Sequence, residues 1–353
     1  MTWIATFPTT ASITSTTMTT MTTSSPGTST SSSTPSLTVG LLTGGRTYGQ
    51  DWDSRARADI IGGDCQLPDL PQQRTGHVSF VTTDQLVLVC GGEDFDSDSN
   101  LSKYLSSCVQ YNLAQERWDH HSDLSKTRNG AAVATLTDGS YILGGFDYGS
   151  DVYLDSSEFL PTGSSQWTQG PRPPQTGKDA CAVAVSHTSL LLIGGGLYDY
   201  DYSTNLRNYT FYRTVWEYSS STSTWSSWPS LVLARKGHAC IKTGHRVIVA
   251  GGETSYGAVT RTTEIINLET KTVSLAGDMA SPRTPFGMFE VGYSGNSVVL
   301  TFGGSNLNFS ATTNEEFDPT TSKWRPSPAV MDPKVYFSAV TVEANLVCKP
   351  GEI

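Results

Sequence analysis

The chain has 353 residues, 37% hydrophobic and 16% charged, with 33 glycines, 17 prolines and a formal net charge of −10. Its 23 Lys and Arg against 33 Asp and Glu exclude a general nucleic-acid binder, because affinity for phosphate backbones comes from a surplus of basic side chains. The longest apolar runs, such as Leu190 to Ile193 and Val247 to Ala250, fall far short of the ~20 residues of a membrane-crossing helix, and the glycines together with 15 Tyr and 8 Trp point to turn-rich β structure.

Residues 1–37 contain 23 Ser or Thr, and the first charged side chain is Arg46. So little apolar surface cannot offset the chain entropy of ordering, and the segment reads as disordered, either a mucin-like O-glycosylated stalk or a plain flexible linker. Met1 to Ala11 has neither the basic start nor the run of about 7 to 15 apolar residues of a secretory signal.

From residue 38 to 353 the sequence repeats itself. A short apolar run ending in two glycines recurs six times, at Gly44-Gly45, Gly91-Gly92, Gly144-Gly145, Gly194-Gly195, Gly251-Gly252 and Gly303-Gly304, with spacings of 47, 53, 50, 57 and 52 residues. After a loop of variable length comes an aromatic residue and then, seven or eight positions on, a tryptophan: Tyr111 with Trp118, Phe159 with Trp167, Tyr218 with Trp225 and Phe317 with Trp324. Ile266 and Val273 keep the spacing without the rings, and Cys65 stands where the first repeat's Trp belongs.

Each unit reads as four short strands: one before the apolar run (from Gly76, Gly130, Ala180, His238 and Gly287), one ending at the glycines, one carrying the aromatic and one beginning at the Trp. A lone four-stranded sheet of this kind cannot bury both faces, whereas stacked repeats can.

These runs and spacings resemble the kelch repeat family, over residues 39 to 350. The resemblance implies an all-β, kelch-type β-propeller with one blade per repeat, hence six blades. The first repeat lacks its leading strand, while Tyr336 to Glu343 is left without a partner after the sixth. The family's way of closing the propeller therefore makes the C-terminal segment the innermost strand of the first blade.

On that fold Cys181 and Cys240 fall in the innermost strands of consecutive blades, where a disulfide is expected. Cys90 and Cys108 flank one hairpin of the second blade, leaving Cys65 and Cys348 to staple the closure. Cys65 with Cys90 is the alternative, and six buried thiols in an intracellular propeller another. No pair has the C-x-x-C spacing of a zinc site.

Three N-glycosylation acceptors, Asn100-Leu-Ser102, Asn208-Tyr-Thr210 and Asn308-Phe-Ser310, each follow a Gly-Gly pair and so share one rim. With the even cysteine count and the Ser/Thr segment they favour an extracellular, secreted glycoprotein over a cytoplasmic protein.

Of the six histidines, His77 and His238 recur in matching contexts, Arg74-Thr-Gly76-His77 and Arg235-Lys-Gly237-His238, where other repeats are read to hold Ala131 and Gly287. That marks them as scaffold residues. His120 and His121 are read as beginning a fourth strand on the outside of a blade. The copper oxidases of galactose-oxidase type, which share the propeller, need histidines and tyrosines converging at one end, and no such set is visible. No Gly-x-Ser-x-Gly, phosphate loop or His-Glu-x-x-His occurs. No enzyme activity and no cofactor are expected.

The loops after the glycines carry the candidate binding residues. Asp94, Asp96, Asp98 and Asn100 alternate as calcium ligands do, but the sixth and twelfth positions of an EF-hand are here Ser99 and Leu105. The stretch is therefore either a calcium loop or an ordinary acidic one. Asp147 and Tyr148, then Tyr198, Tyr200 and Tyr202, put acids and tyrosines into the next two loops, a surface suited to a basic or polyhydroxylated partner. The resulting expectation is a non-catalytic binding protein for a protein or glycan ligand. The alternatives are an intracellular adaptor for ubiquitin ligase or actin, and a propeller enzyme.

Overall fold

The computed structural model describes residues 37–47, 55–96, 101–201, 206–293, 297–306, 313–327 and 334–352. The chain divides into two units, Met1–Thr34 and Pro35–Ile353, and the described residues all belong to the second. The expected Ser/Thr-rich stalk lies outside them.

Four antiparallel sheets each have four strands in chain order, the first built from Val78–Val81, Val87–Cys90, Cys108–Asn112 and Arg117–His121. A sheet of the same kind runs from Gly287–Tyr293 through Val298–Phe302 and Asn314–Asp318 to Lys323–Ser327. In the leading part of the chain Leu37–Thr43 has Ala58–Ile61 on one side, and on the other Ser338–Glu343, which pairs antiparallel with it from Thr38↔Glu343 to Thr43↔Ser338. Two further pairs, Leu37↔Tyr293 and Thr38↔Gly292, join this sheet to the sixth.

The second strand is buried throughout in Val87–Cys90 and Gly139–Leu143 and from its second residue on in Ser189–Ile193, Arg246–Ala250 and Val298–Phe302. Continuous burial, rather than alternation, follows when both faces of a sheet are covered. The core accordingly falls into clusters that lie between consecutive sheets. Val39 and Leu41 pack with Val89 and Tyr111, Leu88 with Ile142 and Leu160, Tyr141 with Leu192 and Tyr218, and Ile193 with Val249 and Ile266. Ile248 packs with Phe317, and Leu42 with Phe289 and Phe302. The tryptophans reach onto the preceding sheet: Trp118 Nε1 donates to Pro68 O, Trp167 Nε1 to Ser122 O and Trp324 Nε1 to Thr263 Oγ1.

Three readings of the sequence need correction. Tyr111, Tyr218 and Phe317 face Trp118, Trp225 and Trp324 across their strands, but Phe159 faces Thr168. The ladder that pairs Glu158 with Gln169 and Phe159 with Thr168 leaves Leu160 as the third repeat's equivalent residue. That is why the spacing there is eight rather than seven, and why Phe159 instead stacks on Tyr141 at 4.6 Å. His120 and His121 end the strand Arg117–His121 instead of beginning one, and His121 is buried. The position of His77 and His238 is held in the sixth sheet by Phe286 rather than Gly287. His77, His238, Phe286 and Phe337 each set a ring edge within 2.6–2.7 Å of where a Cβ would stand on Gly44, Gly194, Gly251 and Gly303. The first glycine of each of these pairs is thus the socket for a ring of the next sheet.

A recurrent buried cation completes the repeat. Arg128, Arg235 and Arg283 each donate to the carbonyl of the first glycine of their own sheet's pair and to a third-strand carboxylate, Glu158, Glu264 or Glu315. Arg74 makes the same carbonyl contact at Gly91. Lys334, four residues before the strand that pairs with Leu37–Thr43, forms the corresponding ion pair with Asp59.

Candidate functional site

What the sequence offers as loops after the glycines are two-stranded hairpins. Glu93–Asp96 pairs with Leu101–Tyr104, Phe146–Asp147 with Val152–Tyr153, Gly196–Asp201 with Leu206–Phe211, and Glu253–Ser255 with Ala258–Val259. Each base is fixed by a bridge to the residue three positions before the sheet's first strand: Thr75↔Glu93, Asn129↔Phe146, Lys178↔Gly196 and Lys236↔Glu253. The hairpins therefore rise from the end at which the first strands begin.

Those first strands lie next to one another, each touching the next, and surround a cavity of about 230 Å³. At its mouth main-chain bonds run from sheet to sheet. Gly76 N donates to Tyr336 O, Gly130 N to Gly76 O, Asp179 N to Gly130 O and Gly237 N to Asp179 O. Tyr336, Gly76, Gly130, Asp179 and Gly237 all hold φ between 57° and 66°. For Asp179 and above all Tyr336 this is a strained left-handed conformation, of the sort that concentrates at functional sites.

Around this mouth the hairpins are laced by aromatic contacts. Tyr104 stacks on Tyr148 at 4.1 Å and 7°, and Phe146 meets both Tyr148 and Tyr153 edge-on. The Tyr153 hydroxyl accepts from Tyr198 N at 2.9 Å. Tyr198 stacks on Tyr209, and Tyr209 on Tyr256. One row thus crosses four hairpins. Tyr198 and Tyr256 are exposed in this row, Leu101 and Val152 in the strands of its hairpins, and Tyr336 at the mouth.

The charges at the mouth are paired. Arg46 faces Glu93 at 3.7 Å and lies over the Phe95 ring. Lys236 sits between Asp179 and Glu253 at 3.9 and 3.4 Å. Burial works against the charge of Lys178, but the acidic groups around it, the Asp179 carboxylate first, outweigh burial and raise its pKa, so it stays cationic.

The predicted residues divide accordingly. Tyr148 and Tyr198 belong to the row. Asp147, expected to face a partner, is instead buried and accepts hydrogen bonds from Thr127, Ser150 and Gly149 N. Burial opposes its charge, yet these donors hold the carboxyl below its usual pKa, and its role is to fix its own turn. Asp94 accepts from Gln72 Nε2 at 3.1 Å. Asp96 and Tyr200 are placed by their backbone alone, in the first strands of their hairpins. Asp98, Asn100, Tyr202 and Asn308 lie outside the described residues, while Asn208 is exposed in the strand Leu206–Phe211.

Sequence reasoning missed Lys178, Asp179, Tyr104, Tyr153, Tyr209, Tyr256 and Tyr336. The available signal was the two-residue step before each first strand, where Thr75-Gly76, Asn129-Gly130, Lys178-Asp179 and Lys236-Gly237 line up.

The cysteines pair as Cys65–Cys348, Cys90–Cys108 and Cys181–Cys240, with Cα separations of 5.5, 4.2 and 6.0 Å. Cys181 and Cys240 line the cavity between neighbouring first strands.

Comparison with known proteins finds that the model of the KLHDC2/KLHL20/DRC7 Kelch-repeats domain matches residues 65–252. The chain is similar to human Kelch-like protein 33, 34% identical over 131 residues, which are 37% of this chain and 24% of that protein. It is also similar to Kelch-like protein terF of Aspergillus terreus, 24% identical over 54% of this chain and 41% of the other. Alpha-scruin of Limulus polyphemus is 26% identical over 48% of this chain and 18% of the other. The chain spans less than half the length of each of these relatives.

Proposed function

This chain belongs to the kelch-repeat family, and from that premise we propose that it is a non-catalytic, six-bladed propeller that docks a protein partner on its hairpin rim. Six blades are supported by six inter-sheet core clusters and by the first strands' cyclic order. Closure by the C-terminal strand is supported by its six-pair register with Leu37–Thr43 and by Lys334–Asp59, which repeats the other blades' buried ion pair.

One observation carries the docking role. Among the described residues seven large apolar side chains are exposed, and five of them, Leu101, Val152, Tyr198, Tyr256 and Tyr336, lie on this one rim. Aromatic groups clustered among polar ones are the usual anchors of a protein interface. The bases at the mouth are already matched by acids, and Asp151 is exposed in the turn between Phe146–Asp147 and Val152–Tyr153, so a partner carrying basic side chains fits best.

The setting is extracellular on this reading. All six cysteines are paired, as in an oxidising compartment, where the three sequons would be acceptors for glycans.

The test is affinity capture from extracellular material by the purified chain and by Tyr198→Ala/Tyr256→Ala. Loss of two exposed anchors is expected to weaken capture at least about 30-fold, an effect of ~2 kcal/mol. Unchanged recovery of the same partner by the double variant would remove the rim as the docking surface.

A further inference from the structure

The longest hairpin, Gly196–Asp201 with Leu206–Phe211, has two different faces. Side chains alternate along a strand, so Tyr198 and its cross-strand neighbour Tyr209 share one face, stacked on each other, with Tyr209 continuing onto Tyr256. Asp199 and its neighbour Asn208 share the opposite face with Thr210, two residues on. Asp199, Asn208 and Thr210 are all exposed. The acceptor and the hydroxyl residue of Asn208-Tyr209-Thr210 therefore stand together on the side turned away from the aromatic row.

We propose that Asn208 is an N-glycosylation site whose glycan covers the acidic face of this hairpin and leaves the tyrosine face open for docking. The proposal rests on the extracellular reading given above. In the reaction the Asn208 Nδ2 attacks the anomeric carbon of a polyprenyl-diphosphate-linked oligosaccharide. The new C–N bond forms as the sugar–diphosphate C–O bond breaks, the amide gives up one proton, and the lipid diphosphate leaves. The modified side chain keeps its place across from Asp199, and a bulky solvated group there would confine a partner's approach to Tyr198, Tyr209 and Tyr256.

The full chain, routed through the secretory pathway of eukaryotic cells, would be mapped by mass spectrometry after N-glycosidase treatment in ¹⁸O water. Labelled deamidation at Asn208 is expected, lost in Asn208→Gln and Thr210→Ala and retained in Thr210→Ser, with circular dichroism reporting that each variant is folded. An unmodified Asn208 in chains whose three disulfides are intact overturns the site while leaving the compartment reading standing. Free thiols in chain purified from its native source overturn the compartment reading, and the site with it. Removing the glycan should change partner capture less than twofold, and abolition of capture by the glycosidase alone would overturn the separation of the two faces.

Discussion

Gly194 and Gly163 both hold positive φ, +59° and +74°, yet alanine should affect them differently. At Gly163 nothing stands within 4 Å of the new Cβ, and the cost is the left-handed strain alone, about 1 kcal/mol. At Gly194 the Cβ would meet Arg235 O at 2.6 Å and His238 Cε1 at 2.7 Å, both fixed in the neighbouring sheet. Gly194→Ala should cost at least ~3 kcal/mol in urea unfolding. The buried cations give a second residue-scale prediction. Arg283→Met leaves Glu315 uncompensated and should cost about 3–5 kcal/mol. Adding Glu315→Leu should not restore full stability, because Glu315 also accepts from Ala280 N and Ser281 N. The glycine pairs were plain in the sequence. The cations were not, because each carboxylate partner lies about 30 residues further along the chain and nothing local links the two. In the fourth repeat Gln175 reaches the Gly194 carbonyl instead, so even the residue type is not constant.

At the scale of elements, two joints between sheets are wedged by histidine where two others use phenylalanine. Burial, reinforced by Arg235, brings the pKa of His238 down to about 3, and burial with Arg74 lowers that of His77. Both rings are thus neutral when folded, while the unfolded chain takes up protons near pH 6.5. Stability is complete above that pH and falls as pH drops below it, by up to about 1.4 kcal/mol per pH unit for each histidine. His238→Phe, copying Phe286 and Phe337, should flatten the decline between pH 6.5 and 4 in denaturant titrations, and an unchanged slope would place the titration elsewhere. The strands themselves were legible because both-face burial writes them as unbroken apolar runs. The hairpins were not. Asp-, Ser- and Tyr-rich stretches read as loops, and their pairing is held by bridges such as Lys178↔Gly196 that connect residues 18 apart.

For the whole molecule the three disulfides should rank by the chain they enclose. Cys65 and Cys348 are 283 residues apart and Cys90 and Cys108 only 18. On loop entropy alone the first contributes about 5.6 kcal/mol and the second about 3. Replacing Cys65 and Cys348 together by Ser should therefore lower the urea midpoint more than replacing Cys90 and Cys108, under non-reducing conditions. The six glycine pairs were readable along the chain, but the rim's chemistry was not, since its row is assembled from residues as distant as Tyr104 and Tyr256.

Pro285 stands in the sixth sheet where the others present Gly76, Gly130, Asp179 and Gly237, and proline has no N–H to give. The Thr284 hydroxyl bonds the Gly237 carbonyl instead, and among the described residues no main-chain bond at the mouth joins Pro285 to Tyr336. The same two sheets are stitched at their far end through Leu37↔Tyr293 and Thr38↔Gly292. Between these two ends Gly304 N donates to Lys334 O and Glu290 N to Thr341 Oγ1, so what this joint lacks is the innermost main-chain bond alone. The latch around the mouth is thus open at a single step, and in native-state hydrogen exchange the amide of Tyr336 should exchange faster than those of Gly130 and Gly237, which are bonded to the preceding sheet.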